Sequence, residues 1–263
     1  MRKYLYIYKS ELMTNLQYVF DLLVGFIGYV IHIFIFLNLW QYIYSDPKQI
    51  INGYTMNQMI WYVIITEILW TVLGGRSLSK KISEDVKSGN ITYNINKPYN
   101  YVEYSLFNHL GLATLKFILL TIIGMGLGYI FLGGFPNLSI LQILAVLLSS
   151  ILATIISTFI IIFLGLISFF IEDASPFYWI YSKVILVLGT VFPIEYFPKV
   201  MQPFMKFSPI YAVSYGPAKL FVNYSNKEFV SIIIAQVIYL IISFTICHLI
   251  YKKGVKKLNV NGG

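Results

Sequence analysis

Residues 76–100, RSLSKKISEDVKSGNITYNINKPYN, form the one long polar segment between two hydrophobic stretches of the chain. Leu78, Ile82 and Val86 recur every four residues within it, which predicts a short amphipathic helix. Gly89 suits the C-terminal end of this helix, because glycine tolerates the left-handed conformation that is common there. The alternative interpretation of the same residues is a solvated linker.

The composition outside this segment is that of a membrane protein. Of the 263 residues, 58% are hydrophobic and 11% are charged, whereas a soluble domain carries roughly 25% charged residues. The high hydrophobic fraction and the low charged fraction exclude a soluble fold and predict an all-α polytopic membrane protein. The net charge of +8 comes from basic residues near the ends of the hydrophobic stretches. Anionic lipid headgroups are therefore the expected counter-charge, and no motif for binding nucleic acid is present.

The hydrophobic stretches predict six transmembrane helices, since roughly 20 apolar residues cross a bilayer. They cover residues 22–44, 56–75, 104–132, 138–171, 177–192 and 229–251. Residues 1–20 precede them and carry an apolar face with helical spacing, formed by Tyr4, Leu5, Tyr8, Leu12 and Leu16. That face predicts a helix lying in the membrane interface; a plain lead-in to the first span is the alternative.

Two of the segments that connect the predicted spans have distinctive sequences. Asp46-Pro47 and Asn52-Gly53 predict turns in the connection 45–55. Residues 193–227 are apolar but interrupted by Pro193, Pro198, Pro203, Pro209 and Pro217. These prolines predict short broken helices that re-enter the interface, where protein or water must satisfy the backbone polar groups.

Lysine and arginine residues concentrate in residues 1–20, 76–100 and 252–257. The positive-inside rule therefore predicts that both termini and the 76–100 segment are cytosolic. The proline-rich segment 193–227 then lies on the outer side.

Ionisable residues inside the predicted spans are candidates for function, because each costs roughly 2.5–3.5 kcal/mol at a helix centre. Glu67 lies in the second span and Lys116 in the third, and the two could pair if their helices are neighbours. A structural contact between helices is the alternative to a role in a transport pathway. Glu195, within FPIEYFP at 192–198, could cap a short helix or contact a substrate.

Other chemistry has little support in the sequence. His32, His109 and His248 lie in separate segments without metal-ligand spacing, so we expect them to pack between helices and predict no metal site. Cys247 is the single cysteine, which excludes an intrachain disulfide. No GxxxxGK[ST], HExxH or GxSxG motif occurs, so no catalytic residue, cofactor or ATPase activity is predicted for the chain itself.

The overall pattern resembles the permease subunits of ABC type-2 exporters. Residues 82–98, ISEDVKSGNITYNINKP, are similar to the I-x-x-D-[IV]-x-x-G-x-[IL] loop of bacterial permeases in that group. Residues 192–198, followed by Ser208-Pro209 and Gly216-Pro217, are similar to the outer segment of those proteins.

This resemblance implies half of a translocation pathway in the plasma membrane. The partners would be a second permease, identical or related, and two cytosolic ATPase subunits that bind ATP and Mg²⁺. The resemblance also implies a coupling helix over residues 78–89, with its contacts at Leu78, Lys81, Ile82, Glu84, Asp85, Val86 and Gly89. Amphipathic or apolar cargo is expected.

Two other functions stay open at this point. A membrane-embedded enzyme that modifies lipids would use Glu67, Glu195 or Glu172-Asp173 as acids, although the chain lacks the clustered carboxylates such chemistry recruits. An immunity protein that sequesters a toxic peptide without pumping is the other.

Overall fold

The computed structural model of the protein describes residues 2–46 and 49–261. Helices dominate it, separated by short connections. They are α1 (Arg2–Gln17), α2 (Val19–Gly25), α3 (Ile27–Ile43), α4 (Met56–Val72), α5 (Arg76–Lys87), α6 (Ile91–Ile95), α7 (Tyr101–Leu132), α8 (Ile140–Leu166), α9 (Ser175–Ile185), α10 (Gln202–Lys206), α11 (Gly216–Val222) and α12 (Asn226–Asn261).

Five helical stretches of the described residues are long and apolar enough to cross a membrane. They are Val19–Ile43, Met56–Lys87, Tyr101–Leu132, Ile140–Phe169 and Asn226–Lys257. The predicted all-α polytopic architecture is confirmed to that extent. The predicted span 177–192 is not among the five: α9 continues as a π-helical turn, Leu186–Val191, and the helix ends before Pro193.

The N-terminal helix α1 packs along the first half of α7. Tyr4 stacks on Phe107 with ring centroids 5.5 Å apart, and the Tyr8 hydroxyl donates to Thr114 Oγ1 at 3.2 Å. A Cβ atom at Gly111 would lie 2.8 Å from the Tyr8 carbonyl oxygen, so glycine permits the close approach. The apolar face predicted for residues 1–20 is therefore divided, with Tyr4 buried against α7 and Leu5 exposed.

A two-stranded hairpin, β1 (Ile50–Ile51) and β2 (Tyr54–Thr55), connects α3 to α4. Asn52 and Gly53 both have positive φ, 49° and 86°, which is the backbone of a type I′ turn. Thr55 then begins α4 through a capping box with Gln58. The hairpin contains the second of the two predicted turns; Pro47, in the first, lies outside the described residues.

Two groups of buried side chains make up the interior. The larger surrounds α4, in which Met59, Tyr62 and Ile64 are fully buried, and extends to α3, α11 and other parts of residues 193–227. The smaller lies around α5 and includes Ile82 and Phe169. This second core places α5 against the ends of α7, α8 and α12.

The backbone forms two π-helical turns near the prolines. Leu186–Val191 lies just before the proline-rich region, and Tyr211–Tyr215 lies within it. Side chains from other helices satisfy the carbonyl groups there. The Tyr62 hydroxyl donates to the Gly189 carbonyl at 2.9 Å, and the Thr66 hydroxyl donates to the Thr190 carbonyl at 2.9 Å. Gln236 donates to the Ala212 carbonyl at 2.8 Å. Protein groups thus supply the hydrogen bonds that broken backbone needs in an apolar setting.

Candidate functional site

The inner face of α5 is bound tightly to the rest of the chain. Leu78, Ile82 and Val86 are all buried, so the predicted amphipathic stripe exists but faces α8. A Cβ atom at Gly165 of α8 would lie 2.8 Å from the Cβ of Ile82. The hydroxyls of Ser83 and Ser168 are 2.6 Å apart and hydrogen-bonded. These contacts fix α5 to α8.

The outer face of α5 is exposed and charged. Arg76, Lys80, Lys81, Glu84 and Lys87 are the exposed charged residues of this helix. The Lys80 ammonium lies 3.5 Å from the Glu84 carboxylate, one helical turn away. Because both groups are exposed, this pair contributes little stability and is free to exchange partners.

Asp85 and Gly89, two further residues of the predicted coupling set, also have structural roles. The Asp85 carboxylate accepts a hydrogen bond from the Tyr101 hydroxyl at 2.7 Å, which ties α5 to the start of α7. Gly89 has a φ of +76° directly after the helix, the left-handed conformation that favours glycine. Of the predicted set, Lys81 and Glu84 are therefore the two that point away from the protein.

An open cleft of about 940 Å³ lies beside α5. Its walls come from the α4–α5 junction at Trp70 and Gly74, from Lys80 of α5, and from Tyr178 and Lys183 of α9. Across one edge, Lys87 is 4.0 Å from Asp173. The cleft therefore adjoins the exposed face of α5 at Arg76 and Lys80.

Glu195 belongs to a network that joins the β1–β2 hairpin to residues 193–227. Its carboxylate accepts hydrogen bonds from Tyr54 at 2.9 Å, Tyr215 at 2.7 Å and Lys219 at 2.8 Å. Lys219 is buried and also donates to the Tyr54 hydroxyl at 2.8 Å. Glu195 lies in the first turn of the short helix Ile194–Tyr196, but its side-chain partners come from other elements, so its capping role and its substrate contact both stay predictions.

The charges of this network shift its proton equilibria. Burial acts to raise the pKa of Glu195, but the hydrogen bond and charge of Lys219 and the hydrogen bond of Tyr215 outweigh it, so the pKa lies below its usual value. Burial and the Glu195 charge raise the pKa of Tyr54. The network therefore holds an ionised carboxylate against neutral tyrosines.

Glu67 lies fully buried in the middle of α4. The Nδ1 atom of His32 is 3.5 Å from its Oε2 atom, and no hydrogen-bond donor among the described residues reaches either oxygen. His32 belongs to α3 and its side chain is 54% exposed. Glu67 of α4 therefore contacts His32 of α3, for which the sequence predicts only a role in helix packing.

The sequence matches a known protein family. A family model described as ABC-2 family transporter protein covers residues 16–262. The chain belongs to this family. No curated protein matches it.

Membership makes this ABC-2 transporter protein the membrane component of a transporter, in a family whose permeases associate with ABC ATPases. Helix α5 and the residues of the Glu195 network all lie inside the matched residues. The predicted resemblance to the permeases is therefore confirmed.

The second intramembrane candidate of the ABC-2 transporter protein stands apart from the first. Lys116 is half-buried in α7, and no carboxylate of residues 2–46 or 49–261 lies within 4.0 Å of it. Glu67 and Lys116 therefore form no ion pair, and the carboxylate of Glu67 faces His32 instead.

Sequence reasoning missed the residues that contact these candidates, which are His32, Tyr54, Tyr101, Tyr215 and Lys219. Lys219 follows Gly216-Pro217 in an apolar stretch, and a lysine there is a signal that could have been paired with Glu195. Tyr54 and His32 carried no such signal, because tyrosines are abundant in this chain and His32 is an isolated histidine in its span.

Proposed function

We propose that this ABC-2 transporter protein is the membrane-spanning subunit of an ATP-driven exporter, and that a separate cytosolic ATPase acts on α5. The observation that carries the proposal is the two-sided structure of α5. Its apolar face is fixed to α8, whereas its charged face and the adjoining cleft are open. A helix held in this way moves with the body of the protein when a partner displaces it.

A continuous set of contacts supports the transmission of such a displacement. Helix α5 follows α4 after a short break at Gly74 and Gly75. Through Tyr62 and Thr66, α4 holds the carbonyl groups of the first π-helical turn. Movement of α5 would therefore change the packing of α4 against the turn that precedes the outer segment.

The remaining architecture of the proposal follows the sequence. It comprises six spans, with 177–192 as a short fifth one, in the plasma membrane with both termini and α5 in the cytosol and residues 193–227 outside as a re-entrant segment. A second permease, identical or related, completes the pathway. Two ATPase subunits supply the bound ATP and Mg²⁺. Glu67 and Lys116 are the intramembrane candidates for contact with cargo.

Amphipathic or apolar cargo is supported by the lining of one cavity. A space of about 450 Å³ lies between α4, α7 and α8, with walls that include Ile68, Phe117, Leu147 and Phe221. An apolar group of a drug, peptide or lipid would leave water at little cost in such a space.

The test is purification of the tagged chain from its own cells, with bound proteins identified by mass spectrometry. We expect an ABC ATPase to co-purify. We also expect the double charge reversal Lys81→Glu with Glu84→Lys to remove it, because both side chains lie on the exposed face of α5. The reversal Lys227→Glu on α12 is the matched control and should retain the ATPase.

Asp85 is left unchanged in this design because it holds Tyr101, so its reversal would disturb packing as well as any docking. The proposal fails if the ATPase is retained at full yield after the α5 reversal. It also fails if the purified chain hydrolyses ATP alone.

A further inference from the structure

A cavity of about 690 Å³ lies between residues 199–207 and the first half of α12. Its lining includes three lysines and three isoleucines: Lys199, Lys206, Lys227, Ile234, Ile238 and Ile242. The cavity thus joins a basic region to an apolar one.

The basic side of the cavity is not neutralised by the protein. All three lysines are exposed, and no carboxylate of the described residues lies within 4.0 Å of any of them. Glu228 also lines the cavity, where its carboxylate accepts a hydrogen bond from the Tyr211 hydroxyl at 3.5 Å, so three lysines and one glutamate leave the lining with a net charge of +2. An anionic ligand would supply the missing counter-charge.

The apolar side has most of the depth of one membrane leaflet. Ile234, Ile238 and Ile242 lie on the same face of α12 as Lys227 and Ser231, because their spacing follows the helical repeat. From Ile234 to Ile242 the helix rises about 12 Å, which covers most of the roughly 15 Å of half a bilayer core. Ile234 and Ile238 are 55% and 50% exposed, so they are open to a chain lying against them.

The segment opposite α12 has the composition of a membrane interface. Val200, Phe204 and Phe207 are exposed large apolar residues beside Lys199 and Lys206, and such mixtures of apolar and basic side chains settle at the level of lipid headgroups. The Tyr239 hydroxyl donates to the carbonyl of Phe207, which ties this segment to α12. The two walls of the cavity are therefore held together.

We propose that this cavity binds one anionic phospholipid. The phosphate lies between Lys199, Lys206 and Lys227, and an acyl chain follows the isoleucine face of α12. A small soluble anion would use the lysines alone and leave that face uncovered. This inference does not depend on the transport direction or on the ATPase.

The test uses the full-length chain in an uncharged detergent, with lipid binding measured by native mass spectrometry. We expect phosphatidylglycerol to bind more tightly than phosphatidylcholine with the same acyl chains. In Lys199→Gln/Lys206→Gln/Lys227→Gln, the tightest phosphatidylglycerol site should weaken about 100-fold, since each basic residue near a lipid phosphate contributes roughly a fivefold factor. Lys80→Gln/Lys81→Gln/Lys87→Gln removes the same charge from α5 and should leave that site unchanged.

A competition arm separates the lipid from its headgroup. Glycerol 1-phosphate should displace phosphatidylglycerol poorly, and Ile238→Ser should weaken lipid binding without changing the binding of glycerol phosphate. Equal losses in the two triple variants would overturn the proposal in favour of general charge attraction. Equal binding of the two lipids, or displacement by glycerol phosphate at concentrations similar to the lipid, would also overturn it.

Discussion

The single side chain of Glu195 connects three elements of the structure. Its hydrogen bonds reach the β1–β2 hairpin at Tyr54, the second π-helical turn at Tyr215, and α11 at Lys219. Lys219 is only 7% exposed, so its ammonium group has lost most of its water. Because a buried charge without its partner is costly, the pair should be coupled in stability.

We predict that Lys219→Met destabilises the protein more than Lys219→Met combined with Glu195→Gln. Breaking a buried ion pair costs about 3–5 kcal/mol. The 31% accessibility of the Glu195 side chain places the expected loss lower, at about 2 kcal/mol. The measurement is thermal unfolding in detergent. Losses that simply add would show that the two side chains are energetically independent.

The pH dependence of the melting temperature gives a second measurement for this pair. The pKa of Glu195 is lower in the folded protein than its usual value. The ionised carboxylate therefore contributes its full stabilisation when the pH is above that usual pKa. This stabilisation is lost as the pH falls through the folded pKa. The wild type should therefore lose melting temperature on acidification more steeply than Glu195→Gln, which has no such carboxylate.

At the scale of elements, the packing of α5 on α8 depends on a residue without a side chain. A Cβ atom at Gly165 would lie 2.8 Å from the Ile82 Cβ and 3.0 Å from the Ser79 carbonyl oxygen. Neither neighbour is the end of a flexible side chain, so α5 itself must shift. The attachment of α5 thus rests on this close approach.

We predict that Gly165→Ala destabilises the protein by about 1–3 kcal/mol, the usual cost of overpacking. Gly126→Ala is the matched control, because it also lies in a long helix but nothing is within 4 Å of the added atom. That control should be neutral or stabilising by up to about 1 kcal/mol, since alanine favours helices. Thermal unfolding in detergent measures both.

A cross-link reports the geometry separately from stability. Ser83→Cys with Ser168→Cys should oxidise readily, because the two hydroxyls are 2.6 Å apart. Cys247 is buried in the same cluster as Ile82 and Phe169, so it is replaced by serine in all variants. Adding Gly165→Ala should slow that reaction and Gly126→Ala should not. Equal cross-linking rates in the two backgrounds would show that α8 absorbs the extra atom without displacing α5.

The same element shows where sequence reasoning ends. The spacing of Leu78, Ile82 and Val86 predicts the helix and its apolar face, because periodicity depends only on residues close in the chain. It does not say what covers that face. The resemblance to the permeases implies coupling contacts at Leu78, Ile82 and Val86, and the structure buries these side chains against α8 instead. The coupling role of Lys81 and Glu84 stays a prediction.

At the scale of the whole molecule, the polytopic helical fold and the family follow from composition and the hydrophobic stretches. The ion pairs could not be predicted, because Glu195 with Lys219 and Glu67 with His32 depend on tertiary placement. The π-helical turns were also beyond prediction. They depend on donors such as Tyr62 from a distant helix, and the local sequence carries no trace of those donors.

The orientation of the whole molecule is the last prediction. Because basic residues concentrate in the N-terminal, 76–100 and C-terminal segments, α5 should face the cytosol. A membrane-impermeant maleimide applied to intact cells should therefore not label Ser88→Cys, whereas Asn223→Cys after α11 should react. Both positions are exposed. Ser83 is a poor probe, since it is buried against Ser168. Permeabilised cells provide the control, because Ser88→Cys should become reactive there. Labelling of Ser88→Cys from outside, with Asn223→Cys protected, would place α5 beyond the reach of any cytosolic ATPase.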